Sequence, residues 1–165
     1  MQKSKDSNGF RLTPDQAFAC IGIFLDDFFS SRYQFDDYPN FFLMIGEVQC
    51  NLSGDEKGIR EFYCPDEGYM EVWDEIACRL LECDLAVLES NRATPIIDLK
   101  LSFQAMTLLI ASYRDEYSYS DHNVFFTELE IGEDNLPGNT EAWLAFETAA
   151  KDAENGVRAR DFFQK

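Results

Sequence analysis

The sequence predicts an all-α protein, a helical bundle built from two degenerate copies of one unit, and three observations support this. Apolar residues recur at helical spacing, as Ala17, Ile21 and Phe24 do. Helix-capping residues and prolines stand before the apolar runs. The order of features in residues 12–84 returns in residues 100–154. The main helices are therefore expected near residues 13–31, 67–82, 101–118 and 139–153.

The first helix has a clear start signal in the sequence. Thr13 can cap it, Pro14 suits its first position, and Gln16 stands where a capping box has Glu or Gln. A short apolar segment follows over residues 41–48 and predicts a second, shorter helix. Residues 51–58 contain two glycines together with Ser and Asp, which predicts a loop.

The second half repeats this order after a break at residues 91–95. Gln104 and Ala105 precede its apolar stripe, as Gln and Ala do in the first helix. A pair of adjacent Phe residues opens the short apolar segment in both halves, and each half contains one of the two tryptophans, Trp73 and Trp143. Each half alone would bury only a modest core, so we expect both to pack together as one domain over residues 1–165.

The charge of the chain excludes several classes of partner. It has 31 Asp and Glu against 14 Lys and Arg, which gives a formal charge of −17. Such a protein is repelled by phosphate backbones and anionic lipids, so we expect no direct binding to nucleic acid or membrane. The apolar runs are too short to span a membrane and the start of the chain lacks a signal-peptide pattern, which predicts a cytoplasmic protein. The 15 Phe residues argue against a disordered acidic tail.

Few residues could carry catalysis. His122 is the single histidine, and the chain has no Gly-rich phosphate loop, nucleophile elbow or zinc motif. The five cysteines are irregularly spaced without a CxxC pair, which predicts free, mostly buried thiols. We therefore predict no enzyme, with no catalytic residue, metal ligand or cofactor. One alternative is a metal-dependent hydrolase that uses the carboxylates Asp26, Asp27, Glu71 and Asp74.

The distribution of acids predicts a binding surface. No Lys or Arg occurs between Arg32 and Lys57 or between Arg114 and Lys151, whereas a merely soluble surface mixes both signs. Tyrosines lie among these acids, as they would in an interface to a basic protein or, equally, at helix ends that pack on a core. The predicted partner-binding residues all fall in connections between helices, where side chains can project freely: Asp36, Asp37, Tyr38, Tyr119, Asp121, Glu133 and Asp134.

One further pattern points to a family. It joins the run from Leu101 to Met106, the pair Glu128-Leu129, the loop from Gly132 to Gly138 and the helix from Trp143 to Phe146. This pattern resembles the small immunity proteins of contact-dependent growth inhibition and related bacterial toxin systems. The resemblance covers residues 101–153 well and the first half of the chain more loosely.

The resemblance implies an all-helical cytosolic protein that neutralises one cognate toxin domain, commonly a nuclease. The charge of −17 fits this expectation independently, because nuclease domains tend to present basic substrate clefts. Two departures bear on the binding face: Phe146 stands where a second Trp is expected, and a long insertion separates Asn51 from Cys64. A second alternative is a nucleic-acid-mimicking inhibitor of another DNA- or RNA-binding protein.

Overall fold

A computed structural model describes residues 10–48, 51–54, 60–63 and 67–155. These residues confirm the predicted all-α class. The α-helices of this part of the chain are α1 (Pro14–Ser30), α2 (Pro39–Glu47), α3 (Glu67–Leu81), α4 (Leu85–Ser90), α5 (Leu99–Tyr117), α6 (Asn123–Leu129) and α7 (Thr140–Glu154). Two short 3₁₀-helices, Phe35–Asp37 and Ser120–His122, precede α2 and α6.

Two short antiparallel strand pairs accompany the helices. Strand β1 (Arg11–Leu12) pairs with β4 (Ile97–Asp98), and β2 (Asn51–Gly54) pairs with β3 (Arg60–Tyr63). The predicted loop over residues 51–58 is therefore wrong, because its first four residues form a strand. Strands of two to four residues are too short for a periodic signal.

The predicted helix starts and ends need smaller corrections. The Thr13 hydroxyl accepts a hydrogen bond from the Gln16 amide at 3.0 Å, and the Gln16 side chain accepts one from the Thr13 amide at 2.9 Å, which confirms the capping box. Helix α5 begins at Leu99, two residues earlier than expected, because the Asp98 carboxylate caps it through the Leu101 amide. Helix α4 was not predicted, since six residues carry too little periodicity.

Each of the two long helices packs against a helix of the other half of the chain. Helix α1 lies along α7, where the Phe24 and Phe146 rings are 5.5 Å apart and the Cys20 thiol faces the Phe146 carbonyl oxygen at 3.9 Å. Helix α5 lies along α3, where the Tyr69 and Tyr113 rings stack with centroids 4.2 Å apart. Each long helix thus contacts the Trp-bearing helix of the other half. This supports the expectation that the halves share one core; the duplication itself stays a prediction.

The tryptophans and cysteines divide between the core and its edge. Trp73 is fully buried, with its ring 5.5 Å from that of Phe18, whereas Trp143 is half-buried and donates through Nε1 to Glu147 at 3.1 Å. Cys20 is buried and free, as predicted. The free thiols Cys78 and Cys83 are only half-buried, so the prediction of mostly buried cysteines is too strong; Cys50 and Cys64 lie outside the described residues.

An ion-pair network ties three helices together at the N-terminus of α1. The Arg92 guanidinium lies 2.8 Å from Asp74 of α3, 2.8 Å from Glu89 of α4 and 3.5 Å from Asp15 of α1. Burial raises the pKa of Asp15 to about 6; Arg92 acts in the opposite direction, and Asp74 and Glu89 add to the increase. Asp15 therefore takes up a proton in the folded protein at a higher pH than in the unfolded chain.

The substitution Asp15→Asn should change how stability depends on pH. The stability that protonated Asp15 contributes is fully present below its ordinary pKa of 3.8 and is lost as the pH rises through the folded value of about 6. About a quarter of the Asp15 side chain stays exposed, so water weakens the effect. Relative to wild type, we expect Asp15→Asn to gain about 1–2 kcal/mol in the free energy of unfolding between pH 4 and pH 8.

Chemical denaturation at a series of pH values measures this difference. The matched control is Asp36→Asn, which removes a carboxylate from the exposed surface instead of the network. A difference between Asp15→Asn and wild type that stays constant with pH would contradict the assignment.

Candidate protein-binding surface

Three of the predicted residues lie directly before α2. Asp36 and Asp37 are exposed in the 3₁₀-helix, which is closed by a hydrogen bond from the Tyr38 amide to the Phe35 carbonyl at 3.1 Å. Tyr38 is half-buried, and its ring meets that of Tyr33 edge-on at 5.3 Å. The 3₁₀-helix therefore presents both carboxylates to solvent while Tyr38 holds the segment against the core.

Asp121 joins this segment to the second half of the chain. One carboxylate oxygen, Oδ2, accepts from the Asn40 amide at 2.7 Å and from the Phe41 amide at 3.3 Å. Because the Tyr38 side chain makes no capping hydrogen bond, Asp121 supplies the N-terminal cap of α2 from another element. The expectation that Asp121 projects freely is thus wrong: 14% of its side chain is exposed. A bond across 81 residues leaves no local signal in the sequence.

Tyr119 is placed by the end of α5. Ser118 adopts the left-handed conformation with φ 59°, and the Tyr119 amide donates to the Arg114 carbonyl at 3.0 Å, which ends the helix as in a Schellman motif. The Tyr119 ring stacks against Tyr117 at 5.4 Å and lies 5.2 Å from His122. Tyr117 is 51% exposed, so an aromatic face continues from Tyr119 along the end of α5.

His122 packs inside this region and has no access to solvent. It is fully buried, with its ring 5.5 Å from Phe41 and its Nδ1 3.3 Å from the second carboxylate oxygen of Asp121. Burial lowers the pKa of His122, and Arg114 adds to this, although Asp121 opposes it. The imidazole is therefore neutral near pH 7 and fixes the position of Asp121 and the start of α2.

Two exposed apolar side chains extend the surface, and the sequence analysis did not assign them. Phe35 is 49% exposed beside the two acids, and Leu43, in the second turn of α2, is 53% exposed. The aromatic residues flanking Asp36 and Asp37 in the sequence could have indicated that Phe35 belongs to the surface. No pattern in the sequence indicated this for Leu43. We use the name acidic–aromatic surface for Phe35, Asp36, Asp37, Tyr38, Leu43, Tyr119 and Asp121.

The arginines flanking this surface are engaged with other acids. Arg32 pairs with Glu141 and, at 4.0 Å, with Glu128, and its guanidinium lies 3.8 Å from the centroid of the Phe28 ring. Arg114 pairs with Asp115 at 2.9 Å. Within the described ranges, no Lys or Arg forms an ion pair with Asp36 or Asp37. Their negative field is therefore not cancelled locally.

A tyrosine hydroxyl links the surface to α6. Tyr33 donates a hydrogen bond to the Glu128 carboxylate, and this bond, with burial as a smaller cause, raises the pKa of Tyr33 to about 12. The hydroxyl therefore keeps its proton through the physiological pH range. Because Tyr38 packs on the Tyr33 ring, the bond to Glu128 also holds the 3₁₀-helix in place.

Glu133 and Asp134 lie elsewhere, in the loop between α6 and α7. Both are exposed, and the Asp134 carbonyl oxygen accepts from Gln104 Nε2 at 2.9 Å. Gln104 is 13 residues from Tyr117 along α5, which corresponds to about 20 Å of helix. The structure thus brings five of the seven predicted residues together and places these two at the other end of α5.

Two of the four carboxylates of the hydrolase alternative are held by other partners. Asp74 pairs with Arg92, and an Asp26 oxygen accepts from the Ser30 hydroxyl at 3.0 Å. In residues 10–48 and 67–155, no group of three or more His, Cys, Asp or Glu side chains is arranged to hold a metal ion. Among the described helices, none combines the length and apolar character needed to cross a membrane.

Comparison with known proteins identified no relative: no family model matches the chain, and neither the curated proteins nor the solved structures gave a match. The resemblance to immunity proteins therefore stays a prediction. The geometry by itself describes a preorganised negative surface with exposed apolar side chains, which is a form suited to binding a positively charged protein.

The variant Asp121→Ala should destabilise the fold, because it removes the acceptor for two amides at the start of α2. We expect a loss of about 1–3 kcal/mol in the free energy of unfolding by chemical denaturation. Asp121→Asn keeps an oxygen acceptor and should lose less than half as much. The exposed Asp36→Ala is the control, and an Asp121→Ala variant as stable as that control would refute the capping role.

Proposed function

We propose that the chain is a cytoplasmic immunity protein that binds and neutralises a cognate toxin domain, a basic nuclease, through the acidic–aromatic surface. The observation that carries the proposal is the exposure of Asp36 and Asp37 next to exposed Phe35, with exposed Leu43 in the helix that follows and the neighbouring arginines engaged with other acids. The family resemblance and the charge of −17 support the same reading.

The chemistry of the surface favours a protein partner with a basic cleft. Exposed Phe35 and Leu43 can bury apolar area against a partner, while Asp36 and Asp37, next to Phe35, form a charged rim. A nuclease cleft binds phosphate and is therefore positively charged, so it attracts this rim. Occupation of the cleft by the surface would exclude the substrate, which inhibits the enzyme without any catalysis by this chain.

The surface is held in place before it meets a partner. Asp121 caps α2, and Tyr33 is hydrogen-bonded to Glu128, so the 3₁₀-helix between them is fixed at both sides. Preorganisation lowers the conformational entropy that binding has to overcome. We therefore expect the surface to bind with little rearrangement of its backbone.

The direct test is co-expression with the toxin domain encoded beside the gene. We expect the wild-type chain to restore growth of cells that produce this domain, and the purified chain to inhibit its nuclease activity at a 1:1 ratio. Failure to bind the neighbouring toxin, combined with inhibition of an unrelated DNA- or RNA-binding protein, would favour the nucleic-acid mimic instead.

The association rate with the toxin domain should depend on Asp36 and Asp37. Charge steering can raise this rate to about 10⁸ M⁻¹s⁻¹ at low salt, and the rate should fall as salt shortens the screening length. We expect Asp36→Ala/Asp37→Ala to slow association at least fivefold at low salt, measured by stopped flow over a salt series.

The matched variant is Glu133→Ala/Asp134→Ala, which removes the same charge at the other end of α5. If only the acidic–aromatic surface binds, this variant associates like wild type; if the loop is a second contact, as the sequence predicts, it is slower as well. Association that ignores salt, with Asp36→Ala/Asp37→Ala behaving like wild type, would contradict the proposal.

A further inference from the structure

The end of helix α3 brings two cysteines together. Glu82 adopts the left-handed conformation with φ 57°, and its amide donates to the Arg79 carbonyl oxygen at 3.3 Å. The Cys83 amide donates to the Cys78 carbonyl oxygen at 3.0 Å. These two bonds form a Schellman motif, in which the side chains of the first and the last residue commonly contact each other. In this motif the first and last residues are Cys78 and Cys83.

The two thiols are placed to form a covalent bond. A backbone hydrogen bond of 3.0 Å holds the Cα atoms of Cys78 and Cys83 within the separation of up to about 6.8 Å that a disulfide spans. Burial raises the pKa of the Cys78 thiol, and the charge and hydrogen bond of the Cys83 thiol add to the increase, as do Asp74 and Asp84. Such an effect requires the two thiols to lie next to each other. Both cysteines are free.

Small reagents can reach both sulfur atoms. Cys78 is half-buried and lines a surface groove of about 480 Å³ between α3 and α4. Cys83 is half-buried as well, between exposed Glu82 and exposed Asp84. Cys20, in contrast, is fully buried, and burial raises the pKa of its thiol well above the usual range. Among the cysteines of the described part of the chain, Cys78 and Cys83 therefore combine access with a neighbouring thiol.

We propose that Cys78 and Cys83 are a redox-active pair that forms a reversible intramolecular disulfide with small disulfide oxidants such as glutathione disulfide. The Cys83 thiolate attacks one sulfur of the oxidant, which forms a mixed disulfide and releases one glutathione. Cys78 then loses its proton and attacks the Cys83 sulfur, which forms the protein disulfide and releases the second glutathione. Overall, two protein thiols lose two electrons and two protons, and one glutathione disulfide gains them to become two glutathione thiols. The inference goes beyond the proposed function and does not depend on it.

The order of the two attacks follows from the surroundings of the thiols. A thiol must lose its proton before it attacks a disulfide, and the raised pKa keeps nearly all of the Cys78 thiol protonated at neutral pH. Cys83 lies beyond the last turn of α3, where it can meet the oxidant first. Once Cys83 carries glutathione, its sulfur stands beside Cys78, and this proximity compensates for the small fraction of Cys78 thiolate.

The test equilibrates the folded chain with millimolar glutathione buffers of increasing oxidised fraction and locates the disulfides by peptide mass spectrometry after alkylation of free thiols. At equal concentrations of reduced and oxidised glutathione, we expect the Cys78–Cys83 disulfide to exceed the mixed glutathione disulfides of these two cysteines at least fivefold. An excess of reductant should restore both thiols. Cys20 should stay unmodified as long as the protein is folded.

Two single variants are matched controls. Cys78→Ser keeps only the outer thiol of the pair and should accumulate mixed glutathione disulfide at least threefold faster than Cys83→Ser, which keeps the thiol with the raised pKa. In wild type, oxidation should raise the urea concentration at the unfolding midpoint, because the new bond constrains the unfolded chain. Oxidation of either variant should not produce this increase.

The inference fails if both thiols stay reduced in the most oxidising buffer, or if glutathione stays on Cys83 without closure of the second bond. It also fails if either cysteine pairs with Cys50 or Cys64 instead. A disulfide that lowers the unfolding midpoint would show that the bond does not fit the folded corner between α3 and α4. These measurements contain no toxin, so their failure leaves the proposed function intact, and a failed growth rescue leaves the redox result intact.

Discussion

The packing of each long helix against a helix of the other half determines the rest of this structure. Helix α1 of the first half buries its apolar side chains against α7 of the second, and α5 of the second half packs on α3 of the first. Both halves contribute side chains to one cluster of buried residues, so each depends on the other for part of its core. The pairing of β1 with β4 follows the same logic, because each of these strands directly precedes one of the long helices.

The proposed binding surface lies where the two halves meet. Asp121, from the second half, caps α2 of the first half, and Glu128 of α6 accepts the hydrogen bond from Tyr33 after α1. Buried His122 fills the space beneath them. The position of the exposed acids therefore depends on long-range contacts, and these contacts hold the acids in one geometry within the chain itself.

The main helices could be predicted from the sequence, but only part of the acidic–aromatic surface could. The capping box of Thr13 and Gln16 and the apolar period are local signals, so α1, α3, α5 and α7 could be predicted within a few residues. The β1–β4 pair and the Arg92 contacts with Asp15 and Asp74 depend on partners distant in the chain, whereas α4 is too short to show a helical period. The stretches without Lys or Arg are a local pattern, and they pointed to Asp36 and Asp37. The capping role of Asp121 and the exposure of Leu43 could be recognised only in the folded chain.

Hydrogen–deuterium exchange of the chain with and without its toxin domain tests the central claim most directly, because it maps the interface without any substitution. Backbone amides that a partner covers exchange more slowly in the complex. The account predicts that protection on binding is strongest in residues 35–43 and 117–121. A complex in which these residues exchange as fast as in the free chain, with protection confined to other segments, would contradict it.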